Sequence, residues 1–178
     1  MLRAMAFMIQ LSYQPALDPF HAMYRYLRIL SVIDTSKSLP VDHSRILDFY
    51  LLFPFRISGI RLKTQHRRFR GLADKQARPY GDQPADAQIF ARMKPMQVAA
   101  LETLAEKKFI HADELKNGKV IRTQQPIPPA LATRVNEANS KQQELMQAIS
   151  ALSSEYPLLG QSGLKDRTGL LEYRYDAV

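Results

Sequence analysis

Two acid–lysine pairs are the strongest candidates for catalysis in this chain of 178 residues. They are Glu106 with Lys108 and Glu114 with Lys116, and in each the acid stands two positions before the lysine. Metal-dependent nucleases combine such a pair with a further acid to hold a cation and position water. Such pairs are also common by chance, and we favour solvated surface charge. Tyr173–Tyr175 could similarly be drawn as a site, but a packed terminal strand is the simpler interpretation.

Other signatures of catalysis and cofactor binding are missing from the sequence. Gly118-Lys119 lacks the upstream glycine of a nucleotide-binding P-loop, and no Gly-x-Ser-x-Gly elbow is present. The chain has no cysteine, which excludes disulfides, thiolate zinc sites and cysteine nucleophiles. No metal-binding motif joins the four scattered histidines, which are His21, His43, His66 and His111. We therefore predict that the protein is not an enzyme and has no cofactor or metal.

Basic charge is concentrated in one window of the chain. Eight of the 25 basic residues lie between Arg56 and Arg78, together with one acid, Asp74, so this window carries +7 of the net charge of +8. A local cluster of this kind can contact phosphates or an acidic protein face, or it can be plain solvated surface. All three interpretations stay open. The candidate nucleic-acid or acidic-partner contacts are Arg61, Lys63, His66, Arg67, Arg68 and Arg70.

The apolar start of the chain is too short for a secretory signal. Polar residues from Gln10 onwards end it, without a cleavage site after a sufficient apolar core. The longest other apolar run, Phe49–Phe53, is far too short to cross a bilayer. We expect a cytoplasmic protein with no membrane partner, in which residues 1–17 form an N-terminal extension.

The order of helices and turns resembles a winged-helix unit. Asp18-Pro19 favours the start of a helix that continues over Phe20–Ile33, and a second helix is predicted from about Asp42 to Phe53. After Pro95 a fresh helix, Met96–Lys108, precedes a hairpin signal at Asn117-Gly118. We therefore expect a mainly α fold with a small β-hairpin wing. The winged-helix-like domain spans 18–125 with a basic insert at 56–78, followed by a long C-terminal helix and tail at 126–178.

The second helix carries a charge inside an apolar run. Asp48 lies among residues that are apolar on nearly every side, and burying an unpaired carboxylate is costly. It should therefore have a partner or lie at a boundary. Arg45, three residues earlier on the same face, is one candidate.

A heptad-like seam marks the long helix predicted from about Pro129 to Glu155. Apolar positions alternate spacings of four and three, with one polar member, over about three repeats. The seam can pack on the protein's own domain, or it can dock on a partner helix or a second copy; spacing alone does not choose. Its members are Leu131, Val135, Ala138, Gln142, Leu145, Ile149 and Leu152.

The heptapeptide Asp48–Pro54 resembles a signature of the middle components of bacterial ABC-three-component systems. Looser matches accompany it in the same order along most of the chain, at Tyr24–Leu30, Ile33-Asp34, Arg167–Leu170 and Tyr173–Asp176. The signature residues themselves are Asp48, Phe49, Tyr50, Phe53 and Pro54.

The resemblance implies a non-catalytic adaptor. Such proteins accompany an ATPase similar to the structural-maintenance-of-chromosomes (SMC) and double-strand-break-repair type, and an effector that is often a nuclease. In the Lamassu type, the ATPase, the effector and the middle component together resemble a defence system against phages and plasmids. DNA contact is then expected through the assembled complex. The alternative is a stand-alone winged-helix DNA-binding regulator, which the basic window favours, although the presumed reading helix carries Glu102 and Glu106.

Overall fold

Helices form most of the computed structural model, which describes residues 14–34, 36–75 and 84–172. Short 3₁₀ helices at Pro15–Leu17, Pro54–Gly59 and Thr64–Gly71 link or extend the α-helices. In chain order the α-helices of the described residues are α1 Pro19–Leu30, α2 Val41–Leu52, α3 Leu72–Lys75, α4 Asp86–Glu106, α5 Ala112–Lys116, α6 Pro129–Lys141, α7 Gln143–Glu155 and α8 Leu164–Thr168.

Local sequence signals explain the bounds of the first two helices. The Asp18 carboxylate accepts hydrogen bonds from the backbone N–H groups of Phe20 (2.8 Å) and His21 (3.2 Å), as predicted for an N-cap. Helix α2 ends before Pro54, which begins a 3₁₀ turn. Both predicted helices are confirmed: the first ends three residues earlier than predicted, and the second is shifted by one residue.

Helix α4 continues through Pro95, so the prediction of a fresh helix at Met96 is wrong. Proline removes the hydrogen bond that its N–H would donate to the carbonyl of Ala91. Both residues are exposed, and water can therefore satisfy that carbonyl. The inward face of this helix still reaches the core through Phe90, Leu101 and Leu104.

The two-stranded sheet is antiparallel and joins distant parts of the chain. Strand β1 (Leu39–Pro40), between α1 and α2, pairs with β2 (Lys119–Val120). Ile110 and Arg122 form a further antiparallel bridge. The mainly helical fold with a small sheet is confirmed.

The predicted tight Asn117-Gly118 hairpin is wrong. Helix α5 stands between the two antiparallel segments, with Asp113 and Glu114 in its first turn, where acids favour a helix. Gly118 follows the helix with a φ of +76°, and its N–H donates to the carbonyl of Leu115 (2.9 Å). The Asn-Gly pair therefore ends a helix, a position that suits the conformational freedom of glycine.

A buried ion pair links the first two helices. Arg25 Nε and Nη2 donate to the two carboxylate oxygens of Asp48 at 2.6 and 3.0 Å, and the side chains are 2% and 0% exposed. The prediction that Asp48 has a partner is confirmed, but Arg45 is not that partner. The Arg45 side chain instead donates to Asp42 and to Gln97 on α4, and Gln97 donates to Asp48 at 2.9 Å. One polar network therefore crosses α1, α2 and α4.

The predicted long C-terminal helix is divided into α6 and α7. Gln142 leaves helical geometry (φ −121°, ψ 40°), and its Oε1 accepts a hydrogen bond from Arg28 Nη2 at 2.7 Å. Asn139 Oδ1 accepts from Arg28 Nε at 2.8 Å. A buried guanidinium needs such partners, and burial lowers the pKa of Arg28.

The heptad seam packs on the protein's own domain in this structure. Val135, Leu145, Ile149 and Leu152 are no more than 2% exposed and belong to the core. Leu131, Ala138 and Gln142 are half-buried. The four fully buried seam side chains are therefore not available to a partner helix.

Some predicted regions lie outside the described residues. These are residues 1–13 of the N-terminal extension, residues 76–83 at the end of the basic insert, and the terminal segment 173–178 that contains Tyr173–Tyr175. The last part of the predicted extension is described: Pro15 accepts a hydrogen bond from Arg25 Nη1 at 3.1 Å. Within the described ranges, no helix is both long and apolar enough to span a bilayer.

Asp48→Asn is expected to destabilise the fold by about 3–5 kcal/mol, because it leaves the Arg25 charge buried without a carboxylate. The free energy of unfolding measured with urea checks this. Lys37→Ala is the matched control, because its pair with Asp34 is exposed and should contribute less than about 1 kcal/mol. Equal, small losses in both variants would contradict the structural role assigned to the buried pair.

His43 gives a pH-dependent prediction. Burial lowers the pKa of His43 and outweighs its hydrogen bond with the carbonyl of Leu152 (3.0 Å), which acts in the opposite direction. Below the ordinary value of about 6.5, the unfolded chain therefore binds more protons than the folded one, and stability falls as the pH falls.

His43→Gln keeps a donor for the carbonyl of Leu152 but does not titrate. We expect the wild type to lose more unfolding free energy than this variant between about pH 7.5 and about pH 5.5. The pKa of His21 is lowered as well, and His21 is present in both proteins, so the difference between them isolates His43. If the unfolding free energies of the wild type and the variant change equally with pH, His43 is not the source of the pH dependence.

Candidate functional site

The centre of the basic window folds into the 3₁₀ helix Thr64–Gly71, called the arginine turn below. Residues three apart eclipse one another in a 3₁₀ helix, so its side chains form columns. His66 and Phe69 share the inward column and are buried, whereas Arg67 and Arg70 share an outward column. Arg68 is also exposed, on the next column.

Tyr156, directly after α7, holds the arginine turn against the core. Its hydroxyl lies 2.9 Å from the backbone N of Lys63, which donates to it, and 2.8 Å from His66 Nδ1. The His66 ring also stacks on Phe69, with centroids 5.7 Å apart.

The acid closest to this anchor is already engaged. His66 Nε2 lies 3.2 Å from Glu155 Oε1, and Gln65 Nε2 donates to Glu155 Oε2 at 3.1 Å. Lys63 Nζ donates to the backbone carbonyl of the same residue and lies 4.9 Å from the centre of the Tyr156 ring. Glu155 therefore positions the base of the turn and forms no ion pair with the outward arginines.

Two other cations of the window have acidic partners. Arg56 pairs with Asp86 at the start of α4, and Arg61 pairs with Asp166 on α8 at 2.7 Å.

In the described part of the chain, the side chains of Arg67, Arg68 and Arg70 have neither an ion pair nor a hydrogen bond. Asp74, one turn after Arg70, forms no ion pair with it. The Arg68 guanidinium lies 4.9 Å from the centre of the Phe69 ring, a cation–π contact that orients it.

The six predicted contact residues therefore divide into two groups. The side chains of Arg61, Lys63 and His66 have partners within the protein, while Arg67, Arg68 and Arg70 face outward without one in the described chain. Tyr156 holds the inward side of the arginine turn, and sequence reasoning missed it. It lies 90 positions from His66 in the chain. No local pattern in the sequence indicated that contact.

The acid–lysine pairs considered for catalysis lie apart from this site. Glu106 is exposed at the end of α4, and Glu114 is half-buried on α5. Lys116 lies 3.4 Å from Asp113, which gives it an ordinary exposed partner. Among the residues that the structure describes, no cluster of three or more His, Asp or Glu side chains could hold a metal ion.

The signature residues form part of the core. Asp48, Phe49, Tyr50 and Pro54 are buried, and Phe53 is half-buried. Phe49 makes an edge contact with Phe90 on α4, with centroids 5.9 Å apart. The heptapeptide therefore serves the packing of α2 and does not present a contact surface.

The chain matches a known protein family. The model described as "ABC-three component (ABC-3C) system Middle Component 5" matches residues 11–176. The matched region includes the Asp48–Pro54 heptapeptide, the arginine turn and Tyr156. No curated protein and no solved structure matches the chain.

Tyr156→Phe is expected to loosen the arginine turn while leaving the rest of the fold in place. The change removes the hydroxyl that serves both Lys63 N–H and His66, at a cost of about 1–3 kcal/mol. Hydrogen exchange should accelerate for the amides of residues 63–70 and stay unchanged in α1 and α2. Tyr24→Phe is the control, since its hydroxyl donates to the exposed carbonyl of Arg134. Unchanged exchange in residues 63–70 would remove Tyr156 as the anchor.

Proposed function

The chain belongs to the Middle Component 5 family of ABC-three-component systems, and from this we propose that it is a non-catalytic adaptor. In this proposal it joins an SMC-like ATPase to an effector, most simply a nuclease, in a Lamassu-type defence complex against phages and plasmids. The protein acts inside the cytoplasm. The observation that carries the proposal is the family match over residues 11–176, because a middle component is by name one member of a multi-component system.

The distribution of polar groups supports an adaptor. The most deeply buried charged groups, Arg25, Arg45 and Asp48, are committed to one another or to Gln97. They therefore stabilise the arrangement of three helices and are not displayed in a cleft. By contrast, the side chains of Arg67, Arg68 and Arg70 are exposed at the surface, where they can meet another macromolecule.

The order of elements supports a winged-helix core as the scaffold. Helix α1, strand β1, helix α2 and helix α4 are followed by two antiparallel segments around Ile110 and Arg122. Helix α5 would then occupy the position of the wing. Many winged-helix units bind proteins, so this scaffold is compatible with an adaptor.

The alternative is a stand-alone winged-helix DNA-binding regulator. It would place α4 in the major groove, where Arg, Asn and Gln are the usual readers of base edges. The exposed side chains near the end of α4 include Glu102 and Glu106, whose charge repels phosphates. The arginine turn, which carries three outward basic side chains without an ion pair in the described chain, is a separate element. The adaptor is therefore the better-supported proposal.

Co-expression of the chain with the products of its neighbouring genes tests the adaptor role. We expect an affinity-tagged ATPase to recover this chain and the effector together as one species in size-exclusion chromatography. Omission of this chain should separate the ATPase from the effector. If those two proteins assemble equally well without it, the adaptor role is refuted.

The same complex tests the absence of catalysis in this subunit. Glu106→Gln/Glu114→Gln should leave nucleic-acid cleavage by the complex unchanged, because the proposal assigns cleavage to the effector. Loss of cleavage with retained assembly would transfer the reaction to this chain.

A further inference from the structure

We propose that the arginine turn is a binding surface for the phosphate backbone of a nucleic-acid duplex. This inference goes beyond the adaptor role, because contact between this chain and a duplex can be measured without the other subunits. It rests on the juxtaposition of three outward arginines, Arg67, Arg68 and Arg70, on one short turn that is anchored in the core.

The first argument is that the acidic side chains near the arginine turn pair with other residues and not with these three arginines. The neighbouring acids Glu155, Asp86 and Asp166 are engaged with His66, Arg56 and Arg61, respectively. Three adjacent guanidinium groups without an acidic partner in the described chain repel one another. An external anion relieves that repulsion, and the planar fork of arginine suits phosphate oxygens.

The second argument is the rigidity and spacing of the turn. Arg67 and Arg70 lie on one column, separated by three residues at about 2 Å per residue, or about 6 Å along the axis. That is comparable to the distance between neighbouring phosphates on one strand. Because Tyr156 and His66 fix the backbone from within, little backbone order has to be gained when the arginines bind.

The third argument separates a duplex from a single strand. Proteins that bind single strands stack bases on exposed aromatic rings. Phe69, the aromatic residue among these charges, is 2% exposed and packs on His66, so it offers no stacking surface. A surface of arginines without an accessible ring favours backbone contacts with a duplex, without preference for base sequence.

Binding of the full-length chain to a fluorescent DNA duplex of about 20 base pairs tests the proposal. Three phosphate contacts predict a slope of about −2.7 for log affinity against log salt, or about 40-fold weaker binding when salt rises from about 50 to about 200 mM. In Arg67→Gln/Arg68→Gln the slope should fall to about −0.9 and the affinity at low salt by about tenfold or more.

Lys107→Gln/Lys108→Gln is the matched control, because it removes two exposed charges beside the end of α4. It should bind the duplex like the wild type. The other probes are the corresponding single strand, expected to bind more weakly than the duplex, and poly-glutamate, expected not to compete. Circular dichroism confirms that each variant is folded.

Three results would overturn the proposal. They are a duplex affinity that is unaffected by Arg67→Gln/Arg68→Gln, an equal loss in the lysine control, and binding to poly-glutamate without binding to the duplex. The last result would assign the arginine turn to an acidic protein surface. None of them bears on the adaptor role, which is decided separately by assembly of the complex.

Discussion

The buried contact between Arg25 and Asp48 is the constraint on which the other features of the fold depend. Two charges with almost no exposure to water are stable only when their geometry is good and their remaining hydrogen-bonding groups are satisfied. The fork of Arg25 meets both carboxylate oxygens, and Gln97 completes the set from α4. Helices α1, α2 and α4 can satisfy this network in few relative positions. The end of α2, where the basic segment begins, is fixed as a result.

A second polar contact, made by the Tyr156 hydroxyl, fixes a surface segment against the core. Tyr156 follows α7, which packs on α2, and its hydroxyl fixes Lys63 and His66 at the start of the arginine turn. Helix α8 contributes through Arg167, whose guanidinium lies 5.4 Å from the centre of the Tyr156 ring. Helix α7 thus supports the arginine turn through its C-terminal end, while its apolar face is buried in the core. The position of the arginine turn at the surface therefore depends on the packing of the core.

Sequence patterns predicted features that depend on neighbours in the chain and missed those that depend on distant residues. The Asp18 cap and the need for a partner at Asp48 follow from local physics, and both are confirmed. Arg45 was the nearest candidate partner because helical spacing considers only adjacent turns, whereas Arg25 lies on another helix. The break at Gln142 was missed because Arg28, which holds its amide, is over a hundred positions away. At Asn117-Gly118 the pattern indicated a turn correctly but not that a helix precedes it.

The candidate site shows the same limit. Charge counting located the basic window, yet it could not separate the arginines that face outward from the cations with internal partners. That separation requires knowing where Glu155, Asp86 and Asp166 lie in the fold. It also requires knowing that Phe69 points inward and offers no exposed ring beside these arginines.

The central claim is that internal charges build the fold and the three arginines of the arginine turn make external contacts. Arginine-specific modification with phenylglyoxal, read by mass spectrometry, tests it most directly in the free chain and in the assembled complex on duplex DNA. We predict rapid modification of Arg67, Arg68 and Arg70 in the free chain, protection of these three in the complex, and protection of Arg25 and Arg45 in both. Rapid modification of Arg25 in the free chain, or unchanged reactivity of the three arginines in the complex, would contradict the account.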